Sequence, residues 1–438
     1  MTTLPATSGI EVAPAWLRVR RVEGPPVVAV RLWLWGGSRC EPVPGLAWVT
    51  GRMLSEGTSR RGWREISDSC EARGMVLSAF GGLEAHGVGI DCLARDWRAA
   101  IELVAELALE SSFPADRCAW QGRLGTAELE SQRDEPDTKT AWAFAEQLYA
   151  PHPAGRPLPG DAASLLRIDA ESCRSFHRAA LARGGVLTVA GDLDPEDVAP
   201  VVTSVLGVIG DSDAPSMTVP PITGLDVRQR QIPTTARDQA HLFLGQLTVR
   251  RAHADLLGLE VASVVLGSGA GLTGRIPERV REREGLAYSA GASAVSGAGL
   301  DPGRLIVHVG TSVDTVAHAE TAVREEIDRL LESGITDAEF EDARTYLLRR
   351  DPFRRETPQQ WADLLAQSAL YGLPYDDPEW VKEGYRSLDR AAVEAAIRRH
   401  VHPDQLKVTV GVPNGEDSPE GWTDAGAEPG DAGRESDG

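Results

Sequence analysis

The chain has few cysteines, and they are placed so that no framework can be built from them. Five (Cys40, Cys70, Cys92, Cys118 and Cys173) are scattered through the first half of 438 residues, and none forms a C-x-x-C pair. An odd, dispersed set excludes a disulfide scaffold and a zinc knuckle and fits a reducing compartment. Met1 to Trp16 lacks both the basic start and the apolar centre of a secretory signal, so a cytoplasmic location is expected. Long apolar runs are missing as well. The most apolar stretches, Val27 to Trp35 (broken by Arg31) and Val261 to Leu266, fall far short of the ~20 residues that cross a bilayer. Positive charge is also scarce. Lys and Arg number 45 against 65 Asp and Glu, for a net charge of −20, and only Lys139, Lys382 and Lys407 are lysines. Nucleic acid binding needs a basic footprint that displaces counterions, so no nucleic acid partner is expected. The negative field favours basic peptides or proteins instead.

What the chain does have is a repeat. A single hydrophobic core stops growing near ~250–300 residues, so 438 residues ask for two domains. Around Leu109 the sequence reads LESSFPADRCAWQGRLGTAELES, and around Leu331 it reads LESGITDAEFEDARTYLLRR. Each copy follows an amphipathic helix (Trp97 to Glu110; Val316 to Glu332) and precedes a second, polar helix. Each half closes on a β-branched strand, GGVLTVAGDLD from Gly184 and QLKVTVGVP from Gln405. Each also opens alike, with strands expected at Val27 to Trp35, Met75 to Phe80 and Val88 to Leu93, then at Ala240 to Leu247, Ser289 to Val295 and Arg304 to Gly310. Helices are expected at Gly45 to Glu56, Asp255 to Leu266 and Gly274 to Glu284. The pattern predicts an α+β fold of two homologous sandwich domains, each a mostly antiparallel sheet with helices on one face. The expected division is a first domain over 1–213, a Pro/Ser/Asp linker over 214–226, a second domain over 227–413 and a disordered acidic tail over 414–438.

Two segments carry a resemblance that covers Gly9 to Pro413. The first is GSRCEPVPGLAWVTGRMLSEGTSRRGWREISDSCEARGMVLSAF; the second, and more specific, is TGRIPERVREREGLAYSAGA. With LYGLPYDDPEW from Leu370, they make the chain similar to the pitrilysin/insulinase peptidases, the inverzincins, which include the mitochondrial processing peptidases. Peptidases of that family carry H-x-x-E-H on the first helix, where two histidines hold zinc and the glutamate activates water. Here the same positions read Trp48-Val49-Thr50-Gly51-Arg52, so both histidines and the general base are replaced. The family's third zinc ligand falls on Glu128, 76 residues beyond Arg52. An Arg52–Glu128 ion pair is expected there, because the guanidinium fork matches a carboxylate. None of the nine histidines lies three or four residues from another, so no helical metal pair replaces the lost one. His400-Val401-His402 has no acidic or cysteine partner nearby in sequence and reads as a surface pair.

The second segment keeps what the first has lost. Arg281 and Tyr288, seven residues apart, match an arginine and tyrosine that in the family bind substrate backbone and stabilise the oxyanion. Gly267 to Gly271 lacks the Lys-Ser/Thr ending of a phosphate loop; the resemblance makes Gly269 and Gly271 substrate-contact candidates instead. Ser78, Ala79 and Phe80 match the family's edge strand, which pairs with substrate through backbone groups. Family active sites join two halves of a clamshell, one supplying zinc and the other the arginine and tyrosine. The resemblance therefore implies a non-catalytic subunit with no cofactor of its own. It would form a heterodimer with an H-x-x-E-H-bearing partner that holds the zinc, and the complex would act on peptides. Two alternatives stay open: a homodimeric peptide-binding or scaffold pseudoenzyme, and a peptidase with an unrecognised metal site.

Overall fold

The computed structural model describes residues 16–207, 210, 218–235, 238–269 and 273–413. Residues 414–438, part of the 214–226 segment, and Gly271 lie outside the described residues.

The repeat appears as two five-stranded sheets of the same topology. The first holds β1 (Leu17–Arg21), β2 (Val27–Trp35), β3 (Val76–Gly81), β4 (Ala85–Leu93) and β5 (Gly185–Gly191), in the order β1-β5-β2-β4-β3. The second holds β6 (Gln229–Thr234), β7 (Ala240–Leu247), β8 (Ala287–Ser296), β9 (Arg304–Thr311) and β10 (Lys407–Pro413), in the order β6-β10-β7-β9-β8. In each, the last strand enters parallel to the first and antiparallel to the second, and the remaining pairs are antiparallel. The fold is α+β, as the pattern of strands and helices implies. Neither β1 nor β6 stands out in the sequence, because LRVRR and QRQIPT hold too little apolar alternation to read as strands.

Alternation along each strand decides what each sheet face meets. Val28, Val30, Leu32 and Leu34 of β2 and Val88 and Ile90 of β4 are buried, and the Trp97–Leu109 helix packs against these strands with Ile101 and Leu107 fully buried. The opposite face of each sheet takes one helix from far away in sequence. On the first sheet this is Pro358–Tyr371, over β5 and β2: Ala362, Trp361 and Leu365 pack on Ala29 and Ala190, and Thr188 Oγ1 donates to Ala362 O at 2.9 Å. On the second it is Pro136–Tyr149, over β10 and β7: Phe144 stacks on Phe243 with ring centroids 6.0 Å apart, and Thr409 Oγ1 donates to Gln147 Oε1 at 2.7 Å. Gly411 is fixed by this seat, since a Cβ there would come within 2.0 Å of Thr140 Oγ1. Burying Phe144 contributes about 2–3 kcal/mol.

The two compact units are therefore discontinuous. One joins Met1–Glu130, His152–Pro221 and Leu347–Gly384; the other joins Ser131–Pro151, Ile222–Tyr346 and Tyr385–Gly438. A single cut near residue 213 does not separate them, because the sequence halves each lend a helix to the other unit's sheet. No helix among the described residues is long and apolar enough to cross a membrane.

Candidate functional site

The Leu46–Met53 helix carries the positions where the sequence departs from H-x-x-E-H. It starts on Gly45, where a φ of 86° and the nearness of Pro159 O (a Cβ would come within 2.2 Å of it) require glycine. Its first turn is capped by Glu41, which accepts from Gly45 N at 2.9 Å and Ala47 N at 2.8 Å and pairs with Arg156 at 2.8 Å. Burial raises the Glu41 carboxyl above its ordinary range, against the pull of those hydrogen bonds.

One turn further on, the space for a metal is filled by protein. Trp48 is only 6% exposed, and its ring lies so close to Gly125 of the Ala115–Arg133 helix that a Cβ there would meet it at 2.8 Å. Gly51, at the general-base position, lies flush against the edge strand: a Cβ would sit 2.0 Å from Phe80 O. Gly81 answers it from β3, with a Cβ 2.1 Å from Ala47 O. Arg52 stacks on the Trp48 ring at 4.1 Å and donates from Nη2 to Glu128 Oε2 at 3.2 Å, so the expected ion pair forms. Of the three positions that would ligate zinc only Glu128 offers a ligand atom, and Arg52 holds it. The residues present do not fit zinc. Both partners of the pair are one-third exposed, so Glu128→Ala is expected to cost less than about 1 kcal/mol in a urea titration.

Ser78, Ala79 and Phe80 lie on β3, which pairs within its sheet only with β4. Ser78 Oγ donates to Gly89 O at 3.3 Å, and the Phe80 ring meets Trp33 edge-on at 5.7 Å. Beyond the Phe80 carbonyl, the helix backbone at Gly51 closes the strand's flank.

Arg281 and Tyr288 belong to the other unit. Arg281 lies in a π-helical stretch, Glu278–Arg283, that continues a short turn over Arg275–Pro277. Its neighbours are tied down: Arg275 forks onto Glu339 at 2.6 and 2.8 Å, and Arg279 reaches Glu284, Glu325 and Glu326. Among the described residues the Arg281 guanidinium pairs only with the adjacent Glu282, at 3.7 Å, and it is over one-third exposed. Tyr288 occupies a β-bulge at the start of the edge strand β8 and is 48% exposed, a placement that re-aims a side chain out of the sheet. Partial burial and then the Asp137 carboxylate push its hydroxyl above its ordinary pKa, so it stays a donor at neutral pH. No hydrogen bond joins Arg281 to Tyr288 among the described residues. Gly269 ends the Val264–Ser268 turn beside Thr273.

One group escaped the sequence reading. His253, Asp255 and His400 bring donor atoms within 4.8 Å of one another, the one such set of metal-ligating type among the described residues. His400 Nε2 is 2.7 Å from Asp255 Oδ2, an oxygen that also accepts from Arg399. Burial works to raise Asp255, but the Arg399 and His400 hydrogen bonds outweigh it and hold the carboxylate below its ordinary range. Asp255 is distant in sequence from His400, so spacing alone gave no signal.

The sequence and the fold are similar to those of proteins in one peptidase family. The Insulinase (Peptidase family M16) profile matches residues 20–162, and the Peptidase M16 inactive domain profile matches residues 167–347. An uncharacterized zinc protease of Mycobacterium leprae is 27% identical over 391 residues, 87% of this chain and 86% of its own. A non-peptidase homolog, YmxG, of Helicobacter pylori is 22% identical over 370 residues, 84% of each chain. The crystal structure of a peptidase M16 inactive domain from Pseudomonas fluorescens superposes with a TM-score of 0.82 at 23% identity, covering 92% of this chain and 96% of that one. The chain belongs to the M16 peptidase family.

Proposed function

We propose that this chain is the non-catalytic subunit of a heterodimeric zinc peptidase, supplying Arg281 and Tyr288 to the active site of a homologous H-x-x-E-H-bearing partner. The observation that carries the proposal is the contrast between the two units. At the zinc-helix positions every gap is closed by Trp48, Arg52 and the β3 backbone. At the arginine–tyrosine position both side chains stay available, on a bulged edge strand and beside ion pairs that tie down Arg275 and Arg279. An oxyanion donor serves no purpose in a chain that only fills space. The relatives named zinc proteases and the one named a non-peptidase homolog are consistent with a family holding both kinds of subunit. Zinc would reside in the partner, the substrate would be peptide, and the five unpaired cysteines suit a cytoplasmic setting.

The test is a tagged purification from the native host with zinc analysis, followed by peptidase assay of the complex. A co-purifying chain with H-x-x-E-H and about one zinc per pair is the expected result. Arg281→Ala should then lower kcat/KM by roughly 10²–10³-fold, the effect of losing one transition-state donor, without dissociating the complex on size exclusion. A metal-free homodimer without such a partner would instead establish the chain as a scaffold or peptide-binding pseudoenzyme.

A further inference from the structure

The face of the second sheet that carries the Pro136–Tyr149 helix is only partly covered by it. The helix lies over β6, β10 and β7. Toward the β8 edge, cross-strand partners share this face: Gly291 pairs with His308 and His308 with Phe243, while Ser289 pairs with Gly310 and Gly310 with His241. The Tyr288 ring lies over Gly310, so close that a Cβ there would meet ring carbons at 3.1 Å. Tyr288, His241 and His308 therefore share one patch of sheet, floored by Gly291, Ser289 and Gly310. The two imidazoles are parallel, with centroids 5.8 Å apart, and His308 also lies against Phe243 at 4.6 Å.

Each imidazole has one nitrogen sealed in. His241 is 8% exposed and its Nδ1 is buried; the Nε2 of His308 is buried as well, and neither has a hydrogen-bond partner among the described residues. Both rings are neutral at physiological pH. Burial lowers His241, and burial together with the neighbouring His241 holds His308 at about 4, while Asp137 pulls both the other way. A neutral imidazole carries one N–H and one bare lone pair. An orphaned buried N–H is costlier than an underused acceptor, so the sealed nitrogen is the bare one. The proton then sits on the opposite nitrogen: Nδ1 of His308 and Nε2 of His241. These atoms are not among the sealed ones, and they make no hydrogen bond among the described residues.

We propose that His308, seconded by His241, is a hydrogen-bond donor to a backbone carbonyl of the bound peptide, extending the donor row begun by Arg281 and Tyr288 from the β8 edge inward across β9 toward β7. The inference rests on the peptide-handling role proposed above and adds a binding residue to it. Packing sets the donor's direction: the bare nitrogen is held inward and the N–H outward. Gly291, its cross-strand partner, leaves room beside it for a peptide segment, since a Cβ there would meet nothing nearer than Gly267 O at 3.9 Å. The resulting contact reads backbone and not sequence, which suits a site that accepts varied peptides.

The test is fluorescence anisotropy of short fluorescein-labelled casein peptides on the purified complex, with its zinc removed by chelation so that binding is read without turnover. His308→Phe keeps the ring packing against Phe243 and removes the donor; His308→Gln restores an N–H. The expected result is roughly three- to tenfold weaker binding for His308→Phe, the worth of one hydrogen bond, and near-normal binding for His308→Gln. Melting temperatures within error of the parent would show that both variants fold. Long-range proton–nitrogen correlation of the imidazoles should also place the His308 proton on Nδ1. Unchanged affinity for His308→Phe while Arg281→Ala weakens binding would overturn this subsite and leave the peptide-handling role standing. Peptides that fail to bind the parent, or that bind equally to both variants and to Arg281→Ala, would overturn both.

Discussion

Gly51→Ala is expected to lower the melting temperature by on the order of 10 °C, and Gly51→Glu by more. A Cβ at residue 51 would stand 2.0 Å from Phe80 O and 2.6 Å from Gly81 N. Both are backbone atoms of β3, which is hydrogen-bonded along its length to β4 and cannot yield by a rotamer change. The Leu46–Met53 helix would have to lift off the strand, and seven of its eight residues are buried. Overpacking of this kind costs about 1–3 kcal/mol when side chains can adjust and more when backbone must move; in a unit of the size that holds Gly51 each kcal/mol is worth about 2–4 °C. Gly62→Ala is the control, since its Cβ would meet nothing closer than Glu65 Oε2 at 3.8 Å. The consequence for function is direct. Putting histidine, glutamate and histidine back at positions 48, 51 and 52 should yield no zinc peptidase, because the strand occupies the volume the glutamate needs. A Gly51→Ala variant melting with the parent would remove the structural reason for calling the site closed.

That closure shows what the sequence could carry and what it could not. The loss of the metal motif was legible at once from Trp48, Gly51 and Arg52, and the Arg52–Glu128 pair followed from placing two residues 76 apart on one family pattern. Gly51 itself was legible only as an absence. Its reason, a reciprocal fit with Gly81, joins positions on different elements and leaves no periodic trace. The strands with strong alternation emerged with their ends nearly right; β2 and β7 match to the residue. The Arg-rich β1 and β6 did not, since they owe their place to pairing with β5 and β10 and not to their own apolar content. The exchange of the Pro136–Tyr149 and Pro358–Tyr371 helices between units was invisible for a similar reason. Each reads as an ordinary amphipathic helix, and only the shape of the sheet face it meets says where it docks. The His308–His241 patch was equally hidden, because cross-strand neighbours 67 positions apart converge only once the register is set.

Stability should fall steeply between pH 6.5 and pH 4, through two histidines buried in the first unit. His86 on β4 and His177 on the Ala170–Arg183 helix are joined, Nε2 to Nδ1, at 3.1 Å. His177 Nε2 lies 2.6 Å from Ala108 O, which can only accept, so that nitrogen carries the His177 proton and its Nδ1 accepts from His86 Nε2 at 3.1 Å. That contact is shorter than the 3.4 Å between His86 Nδ1 and Gly36 O, and His86 Nδ1 then holds no proton. The chain of donors runs one way and each ring is neutral. Burial lowers both pKa values; the neighbouring His177 adds to the effect on His86, giving about 3 for His86 and about 4 for His177. In the unfolded chain both titrate near 6.5. As pH drops below that value the unfolded state takes up protons that the folded state refuses, so the stability present at neutral pH is progressively lost until the folded values are reached. Each histidine can cost up to about 1.4 kcal/mol per pH unit in this window, so the pair should remove on the order of 3 kcal/mol between pH 7 and pH 5. Paired carboxylates such as Glu339, held at about 2 chiefly by its Arg275 hydrogen bond, act in the same sense, since there too the unfolded chain takes up the proton first, but only as pH falls through their unfolded value near 4.3. The two contributions therefore occupy different pH ranges. Urea midpoints at pH 7.5, 6 and 5 lie above the range of the paired carboxylates and read the histidines, to which His241 and His308 of the second unit add in the same sense, so the His86 variant below isolates its share. His86→Leu should be less stable at pH 7.5, because His177 Nδ1 loses its donor, yet its stability should decline with a slope smaller by about one proton. Equal slopes for parent and variant would show that His86 is not held neutral by the fold.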